Sequence, residues 1–157
     1  MTTVADLSSL KESIEKNLEA VLSASKEDSE MDEVDLDAEA IRITSLHAKW
    51  LDFYTSNKST ASKLNSTQKK LILERWKYYN GKQTDDYYAA NGFLHEKILK
   101  TDLDKYLEAD SVLTEMKEIV NMQYQIVDCA ERMLKELNSR GFNIKNAIEW
   151  RRFQAGA

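Results

Sequence analysis

From residue 94 to residue 138 the chain offers neither glycine nor proline, and its apolar residues return every seven positions. Leu99, Tyr106, Leu113, Val120, Val127 and Leu134 form one column; Ala109, Met116, Gln123, Ala130 and Leu137 form a second, three residues on. These are the a and d positions of a heptad pattern. Val112, Ile119, Ile126 and Met133 add a third column at g. A two-stranded coiled coil needs a and d alone; a helix that is apolar at g as well must face two neighbours. At 1.5 Å per residue the segment would extend roughly 65 Å. A compact domain of this size has a radius of gyration of only about 15 Å. Copies of the chain are the economical source of the missing neighbours, which places Leu113, Val120, Val127 and Leu134 in a subunit interface. The alternative is a monomeric antiparallel bundle with a break inside this segment.

The rest of the chain also reads as mainly α. There is no proline in 157 residues and only four glycines, and these two residues are the usual interrupters of helices. A first helix is expected to begin near Asp6 or Ser9, with Leu7, Leu10, Ile14, Leu18 and Val21 as its apolar stripe. Alone it would be marginal, so it needs a partner surface. Residues 23–40 carry eight carboxylates, Glu27, Asp28, Glu30, Asp32, Glu33, Asp35, Asp37 and Glu39; like charges at that density predict a solvated linker. Helical spacing resumes with Ile43, Leu46, Trp50 and Phe53, weakens through the Ser/Thr-rich residues 55–62, and returns with Leu64, Leu71, Ile72 and Leu73. Asn80-Gly81 is a strong stop. Residues 82–93 read as a loop or short hairpin, with Asn91-Gly92 as a second turn. Gly141 is expected to end the long helix, leaving Ile144, Ile148 and Phe153 on a short last one. Three regions follow: an acidic helix and linker over 1–40, a basic and aromatic helical region over 41–93, and a helical oligomerisation region over 94–157.

The net charge of −5 hides a strong asymmetry. Residues 1–40 hold three basic and twelve acidic side chains, residues 41–84 nine and two, and residues 85–157 ten and thirteen. The middle block is therefore +7, which keeps nucleic acid open as a ligand of an acidic protein. The single cysteine, Cys129, excludes an internal disulfide and a thiolate-rich zinc site; among Val127, Ala130 and Met133 it reads as a small buried hydrophobe. No signal peptide and no apolar run of membrane-spanning length is present, so the expectation is a soluble intracellular protein. His47 and His95 stand far apart, and His95-Glu96 lacks the second histidine of a zinc-protease helix. No glycine-rich phosphate loop occurs. The expectation is a protein that is not an enzyme and takes no cofactor or metal.

Lys69, Lys70, Arg75, Lys77 and Lys82 are interleaved with Trp76, Tyr78 and Tyr79. Single strands are held by cations along their phosphates and flat rings under their bases, each stacked base being worth about 1–3 kcal/mol. Tyr87 and Tyr88 could extend such a platform. A second reading stands beside it: Ile72, Trp76 and Tyr79 share one helix face and could be core, with the lysines a solvated rim. The acidic tract likewise has two readings, a solubilising tether or a competitor for the basic block.

Several strings carry a family resemblance. The tail Ser139-Arg140-Gly141-Phe142-Asn143-Ile144-Lys145, continuing to Arg151-Arg152-Phe153-Gln154-Ala155-Gly156, is similar to the C-terminal end of the UvsY recombination mediators of tailed bacteriophages. Arg75-Trp76-Lys77-Tyr78-Tyr79-Asn80-Gly81 upstream, Lys49-Trp50-Leu51 and Leu107-Glu108-Ala109-Asp110 resemble the family in the same order, from about Ile43 to the end. The resemblance implies a mediator that binds single-stranded DNA, weakens its coat of phage single-strand-binding protein and loads a RecA-like recombinase (UvsX) in recombination and repair. It also implies a ring-like homo-oligomer of six or seven helical subunits, built through the C-terminal part, in the cytoplasm of the infected bacterial host. Phe142 and Phe153, in the tail, then join the interface. The expected DNA site is Lys69, Lys70, Arg75, Lys77, Tyr78, Tyr79 and Lys82; of these the resemblance carries over Arg75, and Lys77 or Lys70 would have to stand in for the family's lysine. The chain departs from the family pattern at Leu73, where a lysine is expected, at Glu74, and at Gln83-Thr84-Asp85-Asp86 after the glycine. The alternative function is a self-assembling helical scaffold that binds protein partners without nucleic acid.

Overall fold

A computed structural model describes residues 4–94 and 98–156, with the side chains of residues 4 and 5 excepted. It contains α1 (Val4–Ser29), α2 (Leu36–Tyr79), α3 (Asp85–Asn91), α4 (Leu103–Glu108) and α5 (Ser111–Gln154), and no strand among the described residues. The long C-terminal helix is present. It begins at Ser111 rather than near residue 94, so Leu99 and Tyr106 lie outside it and are exposed.

The three apolar columns of α5 are satisfied within the chain. α1 lies parallel to α5: Ser8 donates to Glu115 at 3.0 Å, Lys11 pairs with Glu118 at 2.6 Å and Ser29 reaches Glu136 at 3.3 Å. α2 runs antiparallel to α5: Gln123 meets Asn57, and Arg75 meets Asp110. Leu7, Ile14 and Val21 of α1, Leu46, Trp50 and Leu71 of α2, and Met116, Ile119, Ile126, Met133 and Leu137 of α5 form one core. The expectation that copies of the chain supply these neighbours is therefore corrected: α1 and α2 supply them. The compactness argument failed because α2, like α5, has 44 residues, so the subunit is itself a rod roughly 65 Å long.

α2 stays helical through residues 55–62 although serine and threonine disfavour helix. Thr55, Thr60, Ser66 and Thr67 each donate to the carbonyl four residues back, so their hydroxyls are spent inside the helix instead of competing with it. On the inner face Asn57 and Ala61 meet α5 closely. Gln123 Nε2 donates to Asn57 Oδ1 at 2.9 Å, and both residues are buried. That one polar layer in an apolar seam sets the register of the two helices.

The acidic tract is not a linker. Its first residues finish α1, its last begin α2, and the turn between is short. Asp32 Oδ1 accepts from Val34 N at 2.8 Å, and Asp35 caps α2 through Ala38 N at 3.0 Å. Asp37 and Glu39 lie in the first turn of α2, where carboxylates favour the positive end of the helix. Arg140, only 6% exposed, donates to the carbonyls of Asp28 and Ser29 at 3.0 and 2.9 Å and so closes the C-terminus of α1. Asp28 in turn accepts from Lys49 and from Trp50 Nε1.

Two further expectations change. Residues 82–93 hold a helix, α3, capped by Thr84, instead of a hairpin; Tyr87 and Tyr88, both buried by it, sit one after the other, a spacing that α3 turns onto one aromatic cluster. Gly141 does not end α5, because the buried residues Arg140 and Ile144 on either side hold the helix in place. The stop is Gly156, in the left-handed conformation at φ 81° after Ala155. Asn80-Gly81 does end α2 as expected: Gly81 N bonds Tyr78 O, Lys82 N bonds Lys77 O, and Gly81 has φ 69°.

Candidate nucleic-acid interface

The basic and aromatic string divides in two once α2, α3 and the start of α5 come together. Arg75, Tyr78 and Tyr79 belong to the fold. Arg75 Nε donates to Asp110 Oδ2 at 2.6 Å, with side-chain exposures of 14% and 1%. The Tyr79 hydroxyl donates to the same oxygen at 2.7 Å, and Asp110 Oδ1 accepts from Leu113 N at 3.0 Å as the N-cap of α5. One carboxylate thus joins the end of α2 to the start of α5. The Arg75 guanidinium lies over the rings of Tyr78 and Tyr79, 4.6 and 5.4 Å from their centroids. Burial works to lower the Arg75 pKa, yet its bonds to Asp110 and neighbouring tyrosines raise it above the ordinary value, so it stays charged. Burial pushes the Tyr79 hydroxyl up, and its donation to Asp110 adds to that.

Tyr78, Tyr87 and Tyr88 form a second, smaller core. Tyr88 donates to Tyr78 O at 2.8 Å and Tyr78 to Gly92 O at 3.1 Å. Their rings meet at 5.4 to 6.5 Å. A ring closed in this way has no free face to offer a base.

Lys69, Lys70, Lys77 and Lys82 are the other half, all exposed. Lys82 Nζ sits 4.7 Å from the half-buried ring of Trp76. A cleft of ≈ 380 Å³ lies between Lys70, Leu73, Glu74 and Lys77 on one side and Gln83, Thr84 and Tyr87 on the other. Leu73, at the departure from the family pattern, is 53% exposed. Among the described residues the four lysines form no ion pair, whereas Lys49 is paired with Asp28 at 2.7 Å. Of the acidic tract, Asp28 pairs with Lys49 and Glu39 with Arg42, at the first end of the basic block. Lys70 lies more than twenty residues, or roughly 30 Å of helix, beyond Lys49, so within one chain the tract reaches that first end and not the lysines from 69 onward.

Of the expected interface residues, Leu113, Val120 and Val127 are buried in the chain's own core and Leu134 is half-buried beside it. Phe142 and Phe153 are 72% and 71% exposed. Trp150, 60% exposed, stacks on Phe153 at 5.7 Å. Sequence reading missed Trp150 there, and it missed Asp110 as the partner of Arg75; an aspartate two positions before an apolar heptad residue is a capping signal that could have found the second. His47 is half-buried on α2, and His95 and Glu96 lie outside the described residues. No cluster of metal-ligating side chains occurs among the described residues, and no helix is long and apolar enough to cross a membrane.

Comparison with known proteins gives a consistent result. The family described as "Recombination, repair and ssDNA binding protein UvsY" matches residues 24–157. The recombination protein uvsY of Enterobacteria phage T4 is 28% identical over 133 residues, covering 83% of this chain and 92% of that protein. Two crystal structures of the bacteriophage T4 recombination mediator protein UvsY, in lattice types II and IV, are similar with TM-scores of 0.77 and 0.76. Their identities are 26% and 25%; the match covers 87% of this chain and 96% and 98% of theirs. The family match begins at residue 24, so most of α1 precedes it.

Proposed function

The chain belongs to the UvsY family, and from that premise we propose that it is a phage recombination mediator working on single-stranded DNA in the cytoplasm of the infected host. It binds the strand, loosens the coat of single-strand-binding protein and helps to load a RecA-like recombinase. Nucleotide hydrolysis belongs to the recombinase. The observation that carries this reading is the set of solvent-facing lysines without carboxylate partners among the described residues, Lys69, Lys70 and Lys77 at the end of α2 and Lys82 just after it, beside Trp76.

Arg75, Tyr78 and Tyr79 act in this reading by shaping the site. Arg75 and Tyr79 brace α2 against Asp110, and Tyr78 braces it against Gly92, so that the lysines project from a rigid edge. Assembly into a ring of six or seven subunits multiplies weak contacts through effective concentration. The exposed aromatic stripe Phe142, Trp150 and Phe153 supports that assembly, because these positions recur on one face of α5 and nothing among the described residues covers them. In this reading Leu113, Val120 and Val127 hold the subunit together and contribute to the ring indirectly.

The test is fluorescence anisotropy of a labelled oligothymidine and of a duplex of equal length, across a salt series, with native mass measured in parallel. The expected result is tighter single-strand binding that falls steeply with salt, by an assembled species. Assembled protein that ignores the single strand, while binding a protein partner, would leave the scaffold reading in its place.

A further inference from the structure

We propose that the single strand runs lengthwise along the outward face of α2, on a lysine row that starts at Lys63 and continues through Lys70 to Lys77. This rests on the DNA-binding reading above and extends its site by two turns of helix toward the N-terminus of α2. Lys63, Lys70 and Lys77 are seven residues apart, so they recur on one stripe with a drift of only about 20° per step. The row spans roughly 21 Å, the length of a few nucleotides and the lower end of the ~4–16 nucleotides typical of a single-strand site. All three side chains are exposed, and none is in an ion pair with a described residue. The neighbouring lysines of α2 differ: Lys49 is held by Asp28, and Lys58 Nζ bonds the Tyr54 hydroxyl at 2.6 Å.

What lies between the lysines favours a polyanion. Ser66 lies between Lys63 and Lys70, and Ser59 one turn before the row, both exposed and small; the Ser66 hydroxyl donates its proton to Ser62 O at 3.0 Å. A phosphate backbone can therefore approach the helix closely. From residue 53 to residue 73 there is no carboxylate, and Asp52 marks the end of the permissive stretch. Glu74, beside the row, is half-buried and lies against the Tyr87 hydroxyl; across the cleft Thr84 is followed by the exposed Asp85 and Asp86. Leu73, exposed between Lys70 and Lys77, borders the cleft that runs toward Thr84 and gives a base an apolar contact. The serine-rich stretch that weakens helix propensity thus acquires a use: it keeps the face flat and free of negative charge.

The experiment measures anisotropy of a labelled oligothymidine with the full-length protein, over a salt series, for the unmodified chain, Lys63→Ala, Ser66→Asp and Lys135→Ala. Lys135 is an exposed lysine of α5 paired with Glu131, and its variant controls for net charge. Each lost phosphate contact removes about 0.7 from the log–log salt slope of a single strand, or about fivefold in affinity at 0.1 M salt. Lys63→Ala should show that loss and Ser66→Asp a larger one, while Lys135→Ala matches the unmodified protein. Light scattering on each variant keeps assembly in view. If Lys63→Ala and Ser66→Asp bind as the unmodified chain does, the strand crosses only the Lys69–Lys82 end and the row is refuted, with the DNA-binding reading intact. If the unmodified chain ignores oligothymidine and instead binds poly-glutamate in a manner that depends on Lys63, the face docks acidic protein and both readings fall.

Discussion

Two groups of aromatic residues stand at opposite ends of α5, and they have opposite fates. At its start, Tyr78, Tyr87 and Tyr88 are 5 to 9% exposed, and Tyr79 is tied to Asp110. Toward its end, Phe142, Trp150 and Phe153 are 60 to 72% exposed, two of them stacked on each other. The tyrosines stand among cations and look like a base-stacking platform; the others stand in an ordinary amphipathic tail. The difference is in the hydroxyl groups. Those of Tyr78, Tyr79 and Tyr88 find acceptors at Gly92, Asp110 and Tyr78, so the rings can be buried without stranding a polar group. The stripe on α5 faces away from the bundle: Arg140 and Ile144 turn inward and are buried, and Arg151 bonds the turn between α1 and α2, while Phe142, Trp150 and Phe153 lie on the outer side. A ring beside a cation is therefore weak grounds for stacking until its free face has been seen.

The largest way to break this contrast is Asp110→Ala. It leaves Arg75 buried without its partner, frees the Tyr79 hydroxyl and uncaps α5. A loss of about 3–5 kcal/mol in unfolding free energy is expected from the charge alone, read by urea denaturation. Asp110→Asn, which keeps a cap, should lose less. A change below about 1 kcal/mol would mean that the tyrosine end is not held by this carboxylate.

Phe142→Asp combined with Phe153→Asp tests the other end. Subunit stability should move by no more than about 0.5 kcal/mol, the range for exposed positions, while light scattering reports smaller assemblies and oligothymidine binding weakens through lost multivalency. Full assembly by the double variant would put the interface elsewhere.

The smallest effect is alkaline. The Tyr79 pKa is raised above its ordinary value of 10.0 by burial and by its bond to Asp110. Folding therefore favours the protonated phenol: its contribution is complete below pH 10.0 and is lost as pH rises through the higher folded value. Tyr79→Phe should cost about 1 kcal/mol at neutral pH and flatten the decline above pH 10.0. An unchanged alkaline limb would assign that decline to other groups.

Much of the fold was legible in the sequence. The a, d and g columns from residue 112 to residue 137 read as a helix with two neighbours, and Asn80-Gly81 as a stop, because both are set by residues within a turn or two. Leu7, Ile14 and Val21 were legible as a stripe for the same reason. The hairpin expected over 82–93 was not there: capping by Thr84 and the pull of Tyr87 and Tyr88 into one cluster overrode the turn signals. Gly141 looked like a stop and is not one: a glycine weakens a helix by only about 1 kcal/mol relative to alanine, which buried neighbours such as Arg140 and Ile144 offset. The basic string was legible as a charge excess but not as a site. Composition cannot tell Arg75, spent on Asp110, from Lys70, which faces water.

Taken by itself, the sequence determined that this chain is helical, that its long C-terminal helix must be covered on two sides, and that its positive charge lies in the middle third. Periodicity, capping and charge are local properties, written within a few residues of where they act. Only the tertiary structure decided that α1 and α2 provide the cover, that Arg75 and the tyrosines brace the fold, and that the lysines from 63 to 77 are left in a row. Those outcomes depend on which of several suitable surfaces meet, through contacts such as Arg75 with Asp110 and Asn57 with Gln123, and a heptad pattern specifies that a partner is needed without specifying which one.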